Sequence, residues 1–251
     1  MPTRAARQLY DQIGAGYSAQ RRADPRLAAP LTAALGPGVV LNVGAGTGSY
    51  EPRDRQVVAV EPSAVMIAQR PAGAAPVVQA AAEALPFRTR SFDVVMAVFT
   101  VHHWTDQSAG FGELRRVARR RVVFTFDPAV VNRMWLVEYW PEIAMLDFVR
   151  ASSIAEVFAG IEGRAVTVVP VPHDCQDGMT TAYWRRPRAY LDPQVWVGSS
   201  AFRQLTPPAL QRGCGRLAAD LRGGRWHERY GHLLQLEELD CGLRLIVGEA
   251  V

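Results

Sequence analysis

The first half of the chain alternates short apolar runs with amphipathic segments. The apolar runs predict five strands, at 39–43, 56–60, 76–78, 92–98 and 121–126. The segments around them predict helices, among them 26–35, 63–69 and 111–119. Runs that are apolar throughout are typical of strands buried on both faces of a parallel sheet. Their alternation with helices predicts right-handed βαβ units in a doubly wound α/β sheet.

The second half of the chain changes character after residue 127. Helical patterns cover 128–160, and two further strands are predicted at 165–171 and 243–247. The segment 173–238 is helical but interrupted by prolines and glycines, and it is too long for an ordinary crossover. We therefore expect it to form a helical cap inserted before the last strand. A single domain then spans 1–251, with lid helices at 1–36 and a cofactor-binding core at 37–127.

The basic residues limit the kinds of catalysis and ligand binding that are open to this chain. All 28 of them are arginine, against 24 acidic residues, which gives a formal charge of +4. Without lysine, Schiff-base catalysis and the usual phosphate-binding loop are excluded. The arginines are spread along the chain and are not interleaved with aromatic residues, so we expect no nucleic-acid partner.

Cysteine usage and hydropathy indicate the compartment. Cys175, Cys214 and Cys241 fit neither a disulfide framework nor a metal site. Such an odd, sparse count is typical of a reducing environment. The first residues lack a signal-peptide pattern, and no apolar run is long enough to span a membrane. We therefore expect a cytoplasmic protein without a membrane partner or a bound metal.

A glycine-rich turn follows the first strand, with Gly44, Gly46 and Gly48 at alternate positions. Glycine lets the backbone pass close beneath a ligand. The dinucleotide fingerprint needs glycine where this chain has Ser49, which disfavours a nicotinamide or flavin cofactor. Glu61 ends the second strand, 17 residues after Gly44. A carboxylate there can accept hydrogen bonds from both hydroxyls of a ribose, or it is simply an acidic residue at a helix start.

The order of these motifs resembles the class I S-adenosylmethionine-dependent methyltransferases. The stretches that carry the resemblance are LYDQIGAGYSAQR at 9–21, VLNVGAGTG at 40–48, VVAVEPSAVMIAQ at 57–69, AAEALPF at 81–87 and SFDVVMAVFTVHHWTD at 91–106. The resemblance implies a mostly parallel, seven-stranded Rossmann-like sheet. It also implies methyl transfer from S-adenosyl-L-methionine, with S-adenosyl-L-homocysteine as the product. Beyond residue 127 it extends only to the final strand.

The resemblance further implies a cofactor site on the rim where the parallel strands end. In it, Glu61 is the ribose acid and Met66 packs on adenine. Ala81 stands where an adenine-binding aspartate is common, so recognition there rests on the backbone of Ala82 and on Glu83. The expected cofactor-binding residues are Tyr17, Arg21, Gly44, Ala45, Gly46, Glu61, Pro62, Met66, Ala82, Glu83 and Phe99.

Two of these positions leave alternatives open. Tyr17 and Arg21 lie four residues apart, on one face of the first helix. They can cover the sulfonium and bind the methionine carboxylate, or they are a packing tyrosine beside a surface arginine. Asn42 stands where the family often has aspartate, so the hydrogen bonding beneath the glycine turn must differ.

Histidines supply the candidate bases. His102 and His103 follow the fourth strand on the same rim, and either can take a proton from the methyl acceptor or cap the strand. His173 and Asp177 follow the sixth strand, where they can face the same pocket or order their own loop. A base is needed only if the nucleophile has a proton to lose, so catalysis by proximity alone is the alternative.

The helical cap favours a small-molecule acceptor, methylated at O, N or C, for which bacterial secondary metabolism is one source. An RNA or protein methyltransferase is an alternative, although Val98-Phe99-Thr100-Val101 stands where base-methylating enzymes carry an Asn/Asp-Pro-Pro-aromatic stretch. A non-catalytic regulatory protein of the same fold is the other alternative. We expect a monomer or a homodimer.

Overall fold

The computed structural model describes residues 21–146 and 152–250. The strands in these ranges are β1 (Val40–Val43), β2 (Val57–Val60), β3 (Val77–Val78), β4 (Phe92–Val98), β5 (Ala118–Phe126), β6 (Gly163–Val168), β7 (Val171–Pro172), β8 (Glu238–Leu239) and β9 (Leu243–Glu249). The expected Tyr17 lies outside the described residues.

The helices of the same ranges are α1 (Pro25–Leu35), α2 (Ala64–Ala68), α3 (Gln107–Val117), α4 (Pro128–Val131), α5 (Trp135–Tyr139), α6 (Ile154–Gly160), α7 (Pro193–Val197), α8 (Ser200–Arg203), α9 (Pro207–Arg222) and α10 (Arg225–Tyr230). Short 3₁₀ turns occur at Val101–His103, Pro141–Met145, Pro187–Leu191 and Gly231–Gln235. No helix of the described ranges is long and apolar enough to cross a bilayer.

Among the described residues, seven strands form one sheet in the order β3-β2-β1-β4-β5-β9-β6. Strands β1 to β5 pair in parallel, and β9 is antiparallel to both β5 and β6. The predicted, mostly parallel seven-stranded fold is confirmed. The chain leaves β1 on one side towards β2 and returns on the other side as β4. Such a switch in strand order opens a crevice at the carboxyl ends of the strands.

Helix α1 belongs to the core. The Asp24 side chain accepts a hydrogen bond from the Arg26 backbone N–H at 2.9 Å and caps the start of the helix. Leu27, Leu31 and Leu35 recur every fourth residue and are buried, as one face of a helix requires. They belong to the same apolar cluster as strands β1, β4 and β5. The described part of the predicted lid at 1–36 is therefore a layer of the fold.

The cap lies between β7 and β8, which pair as a small antiparallel sheet. It contains α7 to α10 and is built around large buried rings, including Trp140, Tyr190 and Trp226. Helix α9 packs against Trp140 at Gly213. A Cβ on Gly213 would lie 2.1 Å from the Trp140 indole nitrogen, so only glycine allows this approach. The cap therefore has its own aromatic packing, which is continuous with the core beneath the sheet.

Three predicted elements differ most from the observed ones. The helical pattern predicted over 128–160 is interrupted after Tyr139, because Pro141 cannot donate to the helix and starts a 3₁₀ turn. Helix α3 begins at Gln107, earlier than predicted, since the Asp106 side chain caps it by accepting from the Ala109 N–H. The strand predicted at 165–171 is divided into β6, at the sheet edge, and β7, at the base of the cap.

Candidate active site

The glycine turn after β1 is held against the neighbouring strands. Gly44 and Ala45 both donate their N–H groups to the Val60 carbonyl at the end of β2, at 2.9 Å. Gly44 has a φ of 70°, and a Cβ built on it would lie 2.0 Å from the Thr100 hydroxyl oxygen. Both the backbone conformation and the close approach of Thr100 therefore require glycine at this position.

Glu61 ties this turn to the next helix. Its Oε2 accepts the Gly46 N–H at 2.7 Å, and its Oε1 accepts the Ser63 N–H at 2.9 Å. The side chain is 5% exposed and lies at the end of β2. A carboxylate accepts about four hydrogen bonds, so these two contacts are compatible with binding a ribose diol as well.

A polar network that the sequence did not predict lies beneath the turn. Asn42 donates through Nδ2 to Glu51 at 3.1 Å, and Arg70 donates to both Glu51 oxygens at 2.7 and 2.8 Å. Arg70 also donates to the Gly46 carbonyl at 3.2 Å. Asn42 Oδ1 is buried without a hydrogen-bond partner among the described residues. Because Asn42 lines the cavity above the turn, this acceptor suits an N–H donor of a ligand.

That cavity, here called the rim cavity, has a volume of about 340 Å³ and lies at the carboxyl ends of β1, β2 and β4. Its size is within the range of about 300 to 1,000 Å³ that is typical of small-molecule sites. The expected cofactor residues that line it are Arg21, Gly44, Ala45, Gly46, Glu61, Pro62, Met66, Ala82, Glu83 and Phe99. Every residue of the expected set that the structure describes therefore lies at one cavity.

Glu83 has a contact that limits its role. Its Oε1 accepts from both the backbone N–H and the hydroxyl of Thr105, each at 2.9 Å. The Asp106 N–H adds a longer contact of 3.3 Å to the same oxygen. Glu83 thereby holds the segment after β4 against the segment after β3, at the outer end of the rim cavity.

A second, smaller cavity lies between the sheet and the cap. This cap cavity has a volume of about 70 Å³ and is lined mostly by apolar side chains, including Phe126, Val131, Ile143, Met179, Ala201 and Leu243. Its polar lining residues are Arg21, His102, Thr180, Thr181 and Ser200. The cap cavity lies beside the rim cavity and is well below the range of about 300 to 1,000 Å³ that is typical of a complete small-molecule site.

Arg21 and Phe99 line both cavities. Phe99 has a φ of 51°, which a bulky side chain rarely adopts, and its N–H donates to the Phe124 carbonyl at 2.7 Å. Left-handed backbone of this kind costs roughly 1 to 2 kcal/mol for a residue other than glycine. Strain of this kind clusters at functional sites. We call the Arg21–Phe99 boundary the shared wall.

A buried ion pair holds Arg21 at the shared wall. Arg21 donates from Nε to Asp177 Oδ1 at 2.5 Å and from Nη2 to Asp177 Oδ2 at 3.1 Å. The Tyr50 hydroxyl donates to the same Oδ2 at 2.8 Å. Burial, together with the Asp177 charge, raises the pKa of Tyr50 and keeps its hydroxyl protonated. Asp177, one of the candidate bases, therefore pairs with Arg21.

The two adjacent histidines lie at different cavities. His103 lines the rim cavity and His102 lines the cap cavity. Burial lowers the pKa of His103 to about 3. Burial, and then the neighbouring His103 and Arg21, lower the pKa of His102 well below its usual value. Both imidazoles are therefore neutral near pH 7 and can accept a proton or a hydrogen bond.

The structure does not bring His173 to either cavity. Its backbone N–H donates to the Glu237 carbonyl at 2.8 Å, and its Nδ1 lies 3.3 Å from the Glu237 carboxylate. These contacts belong to the pairing of β7 with β8, so the predicted alternative of a loop-ordering residue fits its position. No cluster of three or more potential metal ligands is present in the described ranges.

Residues 41–126 match the family model of the methyltransferase domain. A crystal structure from Anabaena variabilis ATCC 29413, provisionally named as a methyltransferase from an antibiotic biosynthesis pathway, is 30% identical. It superposes with a TM-score of 0.86 over 92% of this chain and 99% of that one. The chain belongs to the class I S-adenosylmethionine-dependent methyltransferases, and it is an enzyme whose cofactor is S-adenosyl-L-methionine.

More distant structures share the fold alone. Haemonchus contortus phosphoethanolamine N-methyltransferase 2, in complex with S-adenosylhomocysteine, has a TM-score of 0.58 at 12% identity, over 98% of this chain and 60% of that one. The [4+2]-cyclase SpnF has a TM-score of 0.57 at 15% identity, over 99% and 98% of the two chains. No curated protein sequence matches this chain.

Proposed function

We propose that the enzyme methylates an uncharged, largely apolar small molecule that binds in the cap cavity. The observation that carries this proposal is the shared wall, because a donor in the rim cavity and an acceptor in the cap cavity would meet there. The relative from Anabaena variabilis is named for antibiotic biosynthesis, which supports a natural-product intermediate as the acceptor. Methylation is then at O, N or C.

The charge of the cap cavity supports an uncharged acceptor. Arg21 and His102 are the titratable residues of its described lining. Arg21 is paired with Asp177, and the lowered pKa of His102 keeps that imidazole neutral. A charged acceptor would lose its hydration here without gaining a counter-ion, which is costly. The hydroxyls of Thr180, Thr181 and Ser200 suit a hydroxyl or carbonyl group on the acceptor instead.

The rim cavity offers groups that match each part of the cofactor. Glu61 would accept from the ribose hydroxyls, and Met66 and Ala82, both buried and apolar, would pack on the adenine. The glycine turn and the orphaned Asn42 oxygen would contact the methionine part. When bound, S-adenosyl-L-methionine supplies an electrophilic methyl group on its sulfonium. The protein then has to orient the acceptor and exclude water.

His102 is the better candidate base of the two histidines. It lines the cap cavity, where the acceptor would bind, whereas His103 lines the rim cavity. A neutral imidazole can accept the proton of a hydroxyl or amine as the methyl group is transferred. Its lowered pKa makes it a weak base, so proximity would supply the larger part of the rate.

Filling the cap cavity tests this assignment. Ala201 is buried in the wall of that cavity, and Ala201→Leu would occupy the space of the acceptor. We expect cofactor binding, measured by calorimetry, to change less than threefold while methyl transfer is lost. Ala189→Leu, in a surface groove on the outside of the cap, is the matched control and should keep its activity.

The acceptor class is tested by measuring S-adenosylhomocysteine formation with matched pairs of one-ring phenols, neutral and carboxylated. Turnover of the neutral members is expected. Preferred turnover of the carboxylated members, of a peptide or of RNA would contradict the proposed acceptor class. Full activity of Ala201→Leu would contradict the location of the acceptor.

A further inference from the structure

Arg21 places a positive charge in the shared wall. The proposed reaction puts a second positive charge beside it, the sulfonium of the methyl donor. We propose that Asp177 is a positioning residue that holds Arg21 at the shared wall and cancels its charge, so that the wall accommodates the sulfonium of the cofactor. This inference rests on the proposed function, which puts the transferable methyl group at that wall.

The contacts of Asp177 fit this role. Both of its carboxylate oxygens face Arg21, at 2.5 and 3.1 Å, and one of them also accepts the Tyr50 hydroxyl at 2.8 Å. The side chain of Asp177 is 1% exposed and that of Arg21 is 11% exposed. A two-point contact of this kind fixes the plane of the guanidinium as well as its distance. Little solvent screens the pair, so the two charges interact strongly.

Other contacts join the same two segments independently of Asp177. The Asp24 carboxylate accepts the Gln176 N–H at 2.9 Å. Arg26 donates to Asp174 at 2.6 Å. The loop that carries Asp177 would therefore stay in place when the Asp177 charge is removed. Its substitution then reports on the charge at the shared wall rather than on the attachment of the loop.

Without the Asp177 charge, Arg21 would repel a sulfonium more than a neutral thioether. Coulomb repulsion between two cations in a partly buried site is several times stronger than in water. The cofactor carries the sulfonium, whereas the product S-adenosyl-L-homocysteine carries a neutral thioether at the same position. The two ligands otherwise have the same charged groups. The ratio of their dissociation constants therefore measures the charge at the shared wall.

The experiment is calorimetric titration of both ligands into the full chain and three variants. Asp177→Asn should weaken S-adenosylmethionine about tenfold more than S-adenosylhomocysteine. Arg21→Gln, which leaves Asp177 as an uncompensated anion, should shift the ratio in the opposite direction. The double variant Arg21→Gln/Asp177→Asn has no charge at either position and should restore a ratio close to that of the wild type.

Tyr50→Phe is the matched control, because it removes one hydrogen bond from Asp177 and no charge. It should leave the ratio of the two dissociation constants within about twofold of the wild type. If Asp177→Asn alone does not fold, two distinct expectations remain: a shifted ratio in Arg21→Gln and a ratio close to that of the wild type in the double variant.

Two results would overturn the inference. An unchanged ratio in both single variants would mean that the pair is only structural. Tighter binding of both ligands to Asp177→Asn would mean that Arg21, once released, binds the methionine carboxylate. Neither result depends on an acceptor, so a failure here is distinguishable from a failure of the cap-cavity assignment, which the turnover of Ala201→Leu tests.

Discussion

His102 and His103 are neighbours in sequence, with ring centroids 4.0 Å apart, yet they line different cavities. The 3₁₀ turn Val101–His103 that follows β4 places them in this way, because successive residues of so tight a turn point in different directions. One histidine thereby belongs to the proposed cofactor site and the other to the proposed acceptor site. Their substitution should separate the two functions.

His102→Phe should lower kcat about tenfold or more while leaving the affinity for the cofactor nearly unchanged. The ring shape that packs on Phe126, at 4.7 Å between centroids, is kept, whereas the proton acceptor is lost. The rate of S-adenosylhomocysteine formation, with both the cofactor and the acceptor saturating, measures kcat. His103→Phe is the comparison variant and should mainly weaken cofactor binding. An unchanged kcat in His102→Phe would favour proximity alone.

The same two histidines predict how stability depends on pH. Their pKa values are lowered in the folded protein, to about 3 for His103, whereas the unfolded value is about 6.5. Below pH 6.5 the unfolded state binds more protons than the folded state. The free energy of unfolding therefore decreases as the pH is lowered, by about 1 kcal/mol per pH unit for each histidine. Their stabilising contribution is fully present above pH 6.5.

Urea unfolding at pH 7.5 and pH 5 measures this dependence. His103→Phe should lose less stability than the wild type between the two pH values, because one of the titrating groups is gone. His173→Phe is a suitable control, since His173 lies beside the β7–β8 pair, away from both cavities, and is 37% exposed. Equal losses in the wild type and in His103→Phe would contradict the expectation.

Glu61→Gln should weaken the binding of both S-adenosylmethionine and S-adenosylhomocysteine by about tenfold or more. The amide has nearly the shape of the carboxylate, but only its oxygen accepts hydrogen bonds. The Gly46 and Ser63 N–H groups bond to different oxygens of Glu61, so one of them would face the NH₂ group of the glutamine. It also loses the charged acceptor for the ribose hydroxyls. Calorimetry with both ligands measures the effect, with Glu83→Gln as the comparison. A smaller loss in Glu61→Gln than in Glu83→Gln would be the contrary result.

Gly44→Ala should destabilise the protein by about 3 kcal/mol or more, beyond the cost of the left-handed backbone alone. The new Cβ would meet the Thr100 side chain at 2.0 Å. Gly73→Ala separates the two effects, because Gly73 also has a positive φ, 82°, but has nothing within 4 Å of its Cβ position. That control should cost about 1 kcal/mol. Equal losses of unfolding free energy in urea would show that the contact with Thr100 contributes nothing.

The sequence by itself determined the sheet and the rim cavity. Continuous apolar runs marked β1 to β5, and the carboxyl ends of parallel strands necessarily meet at one edge of the sheet. The glycine turn, Glu61 and the segment after β4 therefore had to lie together, and within the described ranges they do. Local pattern suffices for such a site because βαβ topology repeats one simple geometry.

Tertiary structure alone decided the rest. Arg21 and Asp177 are 156 positions apart, and no periodicity predicts that they form an ion pair. Asn42, Glu51 and Arg70 likewise meet only because the turn folds over them. The 3₁₀ turn points His102 and His103 in different directions, but the cap cavity that His102 lines and the remote position of His173 depend on how the cap packs on the sheet. Packing between distant segments is set by the shape and charge of many side chains together, which a linear pattern does not record.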